Sequence, residues 1–209
     1  LALAVSFPYA GNIGGGGFMV YRKSNGEIGS LDYREKAPLA ASKNMFLDEK
    51  GNVIKGKSLE TALAIGVPGT IAGVFEVHKK LGSLPIEEIL KPVIELAERG
   101  VIVTKKQEIQ LKNHHEEIVK INGVKSLFSY AFKENDTVKY PALAATLKRI
   151  SKNGRDEFYK GETAKILVNY LQQKGGIISL EDLEKYEAKW RTPITFKYKD
   201  LKIISMPPP

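Results

Sequence analysis

Three groups of residues could do chemistry in this chain, and only one has a spacing that helps it. Gly14-Gly15-Gly16-Gly17 opens into a β-prone run, Phe18-Met19-Val20-Tyr21, and a second strand then delivers Arg34 to the edge of Ala37-Pro38. Bare backbone near a fixed guanidinium suits a small anion, because arginine grips a carboxylate through two parallel N–H bonds and lysine does so poorly. A phosphate loop would follow a strand, open a helix and end in Gly-Lys-Ser/Thr. Here the strand comes after the glycines, so nucleotide binding is set aside. The glycines either allow backbones to approach where a Cβ would clash, or border a substrate, and the residues alone leave both open. Arg34 carries a similar ambiguity. Asp32 lies two residues earlier, on the same face of an alternating strand, so on spacing alone an Asp32–Arg34 ion pair is preferred over a substrate contact.

The second group is the histidines. His114 and His115 are adjacent, which on a helix sets them about 100° apart and prevents them from sharing one metal. Metal-binding helices use i,i+4 spacing, absent here, and His78 on an apolar stripe reads as a core histidine. No metal and no cofactor is called for. The third group, the nucleophiles, is empty. Cysteine is absent, and no G-x-S-x-G elbow occurs. An N-terminal nucleophile needs Ser, Thr or Cys at a free amino terminus, where this chain has Leu1. A binding element is present without a catalytic engine.

The elements that must position these residues follow from periodicity. Residues 17–34 read as a hairpin: Phe18–Arg22, a turn at Ser24-Asn25-Gly26, then Glu27–Arg34. Residues 39–66 look irregular. Helices then take over. One has Pro68 at its first position and runs to Gly82, and another opens at Pro85, with Pro92 predicting a kink or break. Thr104 with Gln107 forms a capping box for a helix through about Lys120. Further helices start at Pro141, span Glu162–Lys174, and run from a Ser179 cap to Tyr186. Ile194–Tyr198 and Leu201–Met206 close as a second hairpin. Segregated strands and helices predict an α+β fold with antiparallel pairing.

The chain has 209 residues, 43% of them apolar, enough for one buried domain. Its formal charge of +8 permits an anionic partner. The lysines, however, are scattered among acidic residues and no basic tract is interleaved with aromatics, as a single-strand binder would need. A solvated basic surface is therefore preferred over nucleic-acid binding. No apolar run approaches the roughly 20 residues of a membrane span. Leu1–Ser6 reads as the end of a buried helix and Ser205-Met206-Pro207-Pro208-Pro209 as a strand stopping in prolines. The chain is thus expected to be a single domain over 1–209, incomplete at both ends.

Several motifs together carry a resemblance. Ala10-Gly11-Asn12-Ile13-Gly14-Gly15-Gly16-Gly17-Phe18-Met19, followed by Leu31-Asp32-Tyr33-Arg34-Glu35-Lys36-Ala37-Pro38, closely resembles the large subunit of bacterial γ-glutamyltranspeptidases. So do Gly66-Val67-Pro68-Gly69-Thr70, Phe158-Tyr159-Lys160-Gly161, Gly175-Gly176, Glu181-Asp182-Leu183, Tyr186 and Arg191-x-Pro193. The resemblance implies part of an αββα sandwich of the N-terminal-nucleophile hydrolase type, with a helix-rich middle. It implies a proenzyme that cleaves itself into two subunits, the new N-terminal threonine of the small one attacking γ-glutamyl bonds of glutathione and related compounds. The acyl group passes to water, an amino acid or a peptide. It assigns Arg34 to the α-carboxylate of the γ-glutamyl group, reversing the preference from spacing. The threonine and its Thr-Thr-His signature are not in this chain, so the small subunit is an implied partner and the chain alone is expected to be inactive. Members are typically periplasmic or secreted. Cephalosporin acylases and capsule-anchoring transpeptidases of the same fold, and a non-catalytic basic binding module, are the alternatives.

Overall fold

The Asn25-Gly26 turn founds the principal sheet of the computed structural model, which describes residues 1–209. Gly26 takes a φ of 90°, and the Asn25 carboxamide oxygen accepts the Glu27 amide at 3.0 Å. After a short helix, α1 (Ala2–Ser6), the strands β1 (Phe18–Arg22) and β2 (Ile28–Asp32) pair antiparallel with Phe18 opposite Asp32. The helical middle comprises α2 (Thr70–Leu81) and α3 (Ile86–Arg99), the two-residue β3 (Val101–Ile102), and α4 (Lys105–Asn113) with α5 (His115–Asn122). Next come β4 (Thr137–Val138), α6 (Pro141–Asn153), α7 (Arg155–Tyr159), α8 (Glu162–Gln173) and α9 (Leu180–Glu184). The chain then returns as β5 (Lys189–Arg191), which pairs antiparallel with β2 and places Ser30 opposite Arg191. The sheet order is β1-β2-β5. A separate hairpin of β6 (Ile194–Tyr198) and β7 (Leu201–Ser205) follows, turned by Lys199 at a φ of 54°.

Two apolar clusters hold the layers. One joins Val67, Ile71, Leu90, Ile150, Phe158, Tyr159, Leu183 and Tyr186 from α2, α3, α6, α7 and α9 and the loops beside them. The other joins Val5, Val93, Ala97, Val138, Tyr140 and Leu147. Helix α3 serves both, since Leu90 faces one cluster while Val93 and Ala97 face the other. Each fully buried leucine or isoleucine contributes about 1.5–3 kcal/mol by leaving water. Between α6 and α8 sits a buried carboxylate, Glu157, 6% exposed. It accepts from the Thr163 amide at 3.1 Å, the Thr163 hydroxyl at 2.8 Å and Arg149 Nε at 3.0 Å. Gly161 is required beside it, because a Cβ there would lie 2.8 Å from the Glu157 Cα.

Every pairing is antiparallel, as the sequence predicts, but the segregation is incomplete, since β3 and β4 pair within the helical middle. The Thr104–Gln107 capping box forms, as does the Ser179 cap. Four local expectations differ. The second strand ends at Asp32, so Arg34 lies just beyond it on a loop. Helix α2 begins at Thr70, with Pro68 before it, because the Ala72 amide and the Pro68 carbonyl, which would bond each other in a helix begun at Pro68, both bond the Tyr159 hydroxyl instead. Of the kink or break expected at Pro92, the break does not occur: the residue lies inside a continuous α3, on the exposed side where water can serve the carbonyl it leaves free. The helix after Thr104 stops at Asn113 and restarts at His115. Helix α7 and strands β3, β4 and β5 have no counterpart in the sequence reading, and no helix is long and apolar enough to cross a membrane.

Candidate functional site

Arg34 is held by its backbone and free at its tip. Its amide donates to Asp32 Oδ1 at 3.1 Å, closing a short turn off the end of β2. Its carbonyl accepts from the Tyr186 hydroxyl at 2.7 Å. The side chain is 59% exposed and makes no hydrogen bond within the chain. Its nearest partners are Glu35, whose Oε2 lies 3.7 Å from Arg34 Nε, and the Phe18 ring, with its centroid 5.7 Å away. An ion pair that exposed and that long contributes at most about 1 kcal/mol, so the guanidinium fork stays available.

The Asp32–Arg34 ion pair does not form. Asp32 Oδ2 instead receives Arg191 twice, from Nη2 at 2.7 Å and Nε at 3.1 Å, across the β2–β5 pairing. Burial works to raise the Asp32 carboxyl, but the Arg191 hydrogen bonds and the Arg34 amide outweigh it and hold the group below its ordinary value. A two-point contact to a largely buried carboxylate satisfies Arg191. The Arg34 fork, by contrast, stays open.

Gly16 and Gly17 serve packing. Gly17 exchanges both backbone bonds with Tyr33 at 3.3 and 3.0 Å, continuing the β1–β2 ladder past the strand ends. A Cβ on Gly16 would come 2.5 Å from the Tyr33 carbonyl oxygen and 2.8 Å from the Glu35 amide. The Gly15 carbonyl accepts from the Gly69 and Thr70 amides at 2.8 and 2.9 Å. These bonds occupy leading amides of α2, where an anion would otherwise be drawn, and the phosphate-loop reading finds no geometry here. Gly69 in turn sits where a Cβ would collide with the Tyr33 carbonyl and the Tyr186 hydroxyl. Four segments, 14–17, 33–36, 66–69 and 186, thus interlock around the root of Arg34.

Lys36 extends the positive character of this edge. Its Nζ donates to the Glu187 carbonyl at 3.0 Å and lies 4.8 Å from the Tyr186 ring centroid. Burial, then the nearby Lys189, lower its pKa. The histidines stay outside the site. His78 is half-buried and its Nε2 meets the Leu84 carbonyl at 2.7 Å, as a structural histidine would. His114 pairs only with Glu117, at 3.4 Å. No three His, Cys, Asp or Glu side chains converge as metal ligands would. An exposed guanidinium without a hydrogen bond, as Arg34 has here, is a group that could grip a carboxylate. Sequence reasoning missed Arg191 and the role of Tyr186. Both stand in motifs of the resemblance, and no local spacing connects either of them to Arg34.

A family model for gamma-glutamyltranspeptidase matches residues 1–209. The glutathione hydrolase proenzyme of Escherichia coli is 42% identical over 212 residues, which cover all of this chain and 37% of that protein. The chain thus spans somewhat over a third of the curated relatives it matches. The crystal structure of Helicobacter pylori gamma-glutamyltranspeptidase superposes with a TM-score of 0.95 at 44% identity, covering 99% of this chain and 60% of that one. A cephalosporin acylase from Bacillus halodurans superposes at 0.81 with 25% identity, covering 99% of this chain and 40% of that one. The α+β arrangement seen here is thus part of the N-terminal-nucleophile hydrolase fold. A match from the first residue to the last and the interlocked glycine and arginine segments agree: this chain belongs to the gamma-glutamyltranspeptidase family.

Proposed function

We propose that this chain forms the large-subunit wall of an enzyme that cleaves γ-glutamyl bonds, as in glutathione, and that Arg34 binds the α-carboxylate of the γ-glutamyl group. The observation that carries this reading is Arg34 itself, fixed at both peptide groups and unengaged at its guanidinium while Asp32 is taken by Arg191. A bidentate contact fixes the amino-acid end of the substrate and leaves the γ-carbonyl to be aimed at a nucleophile. That nucleophile is the N-terminal threonine of a small subunit cut from the same precursor. It takes the γ-glutamyl group and passes it to water, an amino acid or a peptide. The chain described here supplies binding and orientation, and is inactive by itself. Location in the periplasm or outside the cell belongs to the same reading.

The test is Arg34→Ala and Arg34→Lys in the full-length protein, assayed on a γ-glutamyl anilide. Loss of a charge-assisted contact of about 2 kcal/mol lowers kcat/KM about thirtyfold for Arg34→Ala. Lysine recovers only part of this, because it lacks the planar fork. An unchanged kcat/KM would remove Arg34 from the site. The likeness to a cephalosporin acylase favours a second reading, hydrolysis of a glutaryl amide, and comparing glutathione with a glutaryl amide separates the two. A nucleic-acid module gains no support from the surface. Lys23, Lys105, Lys120, Lys148 and Lys185 each pair with a glutamate.

A further inference from the structure

The group that holds the Arg34 carbonyl comes from the far end of the chain and is itself set rigidly in the core. Tyr186 is 1% exposed, and its ring stacks on Tyr159 with centroids 5.7 Å apart and planes at 12°. Tyr159 is fixed in turn, donating to the Pro68 carbonyl at 2.9 Å and accepting from the Ala72 amide at 3.1 Å. The Tyr186 carbonyl receives Arg155 Nη2. The place of the Tyr186 hydroxyl is therefore decided by the core, and the 33–36 segment conforms to it.

We propose that Tyr186 is a positioning residue for Arg34: its hydroxyl, by holding the Arg34 carbonyl, sets the direction in which the guanidinium leaves the backbone and thereby the affinity of the site for an α-carboxylate. The proposal rests on the γ-glutamyl reading of Arg34. The side chain of Arg34 has no strong contact of its own to aim it. The backbone sets the direction of its Cα–Cβ bond, from which the side chain departs, and the two peptide groups flanking its Cα are held from opposite ends, by Asp32 on the amide and Tyr186 on the carbonyl. A planar fork demands more of its root than a point charge does, since both N–H bonds must align together. Burial, first of all, raises the Tyr186 pKa, so the hydroxyl remains a donor throughout the working range of pH. The hydroxyl also marks how closely Gly69 approaches, which ties the loop before α2 to the same point.

The experiment is a double-mutant cycle in the full-length, processed protein, with KM and kcat measured on a γ-glutamyl anilide. Tyr186→Phe keeps the ring and removes the donor. It is expected to raise KM about fivefold, the effect of one lost neutral hydrogen bond, with kcat little changed. In an Arg34→Ala background the same substitution should have no further effect, because the group it aims is gone. An unchanged KM, or an equal change in both backgrounds, would overturn the proposal and leave Tyr186 a packing residue. If Arg34→Ala alone leaves kcat/KM unaltered, the γ-glutamyl reading fails in that arm and the proposal falls with it. Should Tyr186→Phe fail to accumulate, 4-fluorophenylalanine at 186 fills the oxygen's place without donating, and 4-aminophenylalanine restores a donor. The proposal requires the raised KM with the first and its recovery with the second, and equal KM values would refute it.

Discussion

Individual glycines in the 14–17 run stand in different surroundings, and substitution separates them. Gly16 has the Tyr33 carbonyl and the Glu35 amide, both backbone, within 2.8 Å of where a Cβ would stand. Neither can yield without moving the Arg34 segment. Gly16→Ala is therefore expected to lower stability by about 1–3 kcal/mol, the usual effect of forcing atoms into a packed site. Gly14 meets only the Asn12 carboxamide, at 3.7 Å, and Gly14→Ala should leave the melting temperature within a degree or two of wild type, a change of less than about 0.5 kcal/mol. Thermal unfolding of the two variants side by side checks both. Gly-rich backbone and an arginine before Ala-Pro are local signals that marked this segment in the sequence, but the role proposed for Arg34 came from the family resemblance and not from spacing. What spacing misjudged was the partner of Asp32. Arg191 lies 159 positions away, and the β2–β5 pairing that joins them has no trace in either segment alone.

At the level of elements, legibility followed length and punctuation. Helix α6 begins at Pro141 and ends at Gly154 with φ 73°, both readable as start and stop signals. Strand β5 has three residues, too few for alternation to show. The break between α4 and α5 carries neither glycine nor proline, and His114 simply leaves the helical region at φ −105°, ψ 8°. At Pro92 no break occurs, a strong breaker overruled by burial of Leu90, Val93 and Ala97 on the other side of α3. Because the helix already accepts it, Pro92→Ala should restore a backbone bond. The expected gain is about 1–3 kcal/mol, from the disadvantage of proline in a helix interior. Denaturant unfolding would show a higher midpoint at unchanged slope.

For the whole molecule, acid is the solvent condition to which the buried carboxylates respond. Burial tends to raise Asp32, Glu157 and Asp182, and in each their hydrogen bonds prevail, to Arg191 and the Arg34 amide, to Thr163 and Arg149, and to the Leu39 and Ser179 amides. Their folded values lie below the ordinary 3.8 for aspartate and 4.5 for glutamate. A depressed folded value means stability present in full above the unfolded value and lost as pH falls through the folded one. Melting temperatures should thus be level near neutrality and drop below about pH 4.5, the unfolded value of Glu157. Glu157→Gln would lower stability at pH 7, by leaving Arg149 without its buried partner, and would flatten the acid slope by one proton. The long return of the chain to its first sheet has a consequence in time. Arg34 leaves the ribosome early, but Tyr186 follows 152 residues later. At about 5–20 residues per second, that is a delay of roughly 8–30 s. During synthesis Arg34 therefore emerges before the tyrosine that holds its carbonyl has been made, and the interlock of 14–17, 33–36, 66–69 and 186 is among the last parts of this segment to assemble.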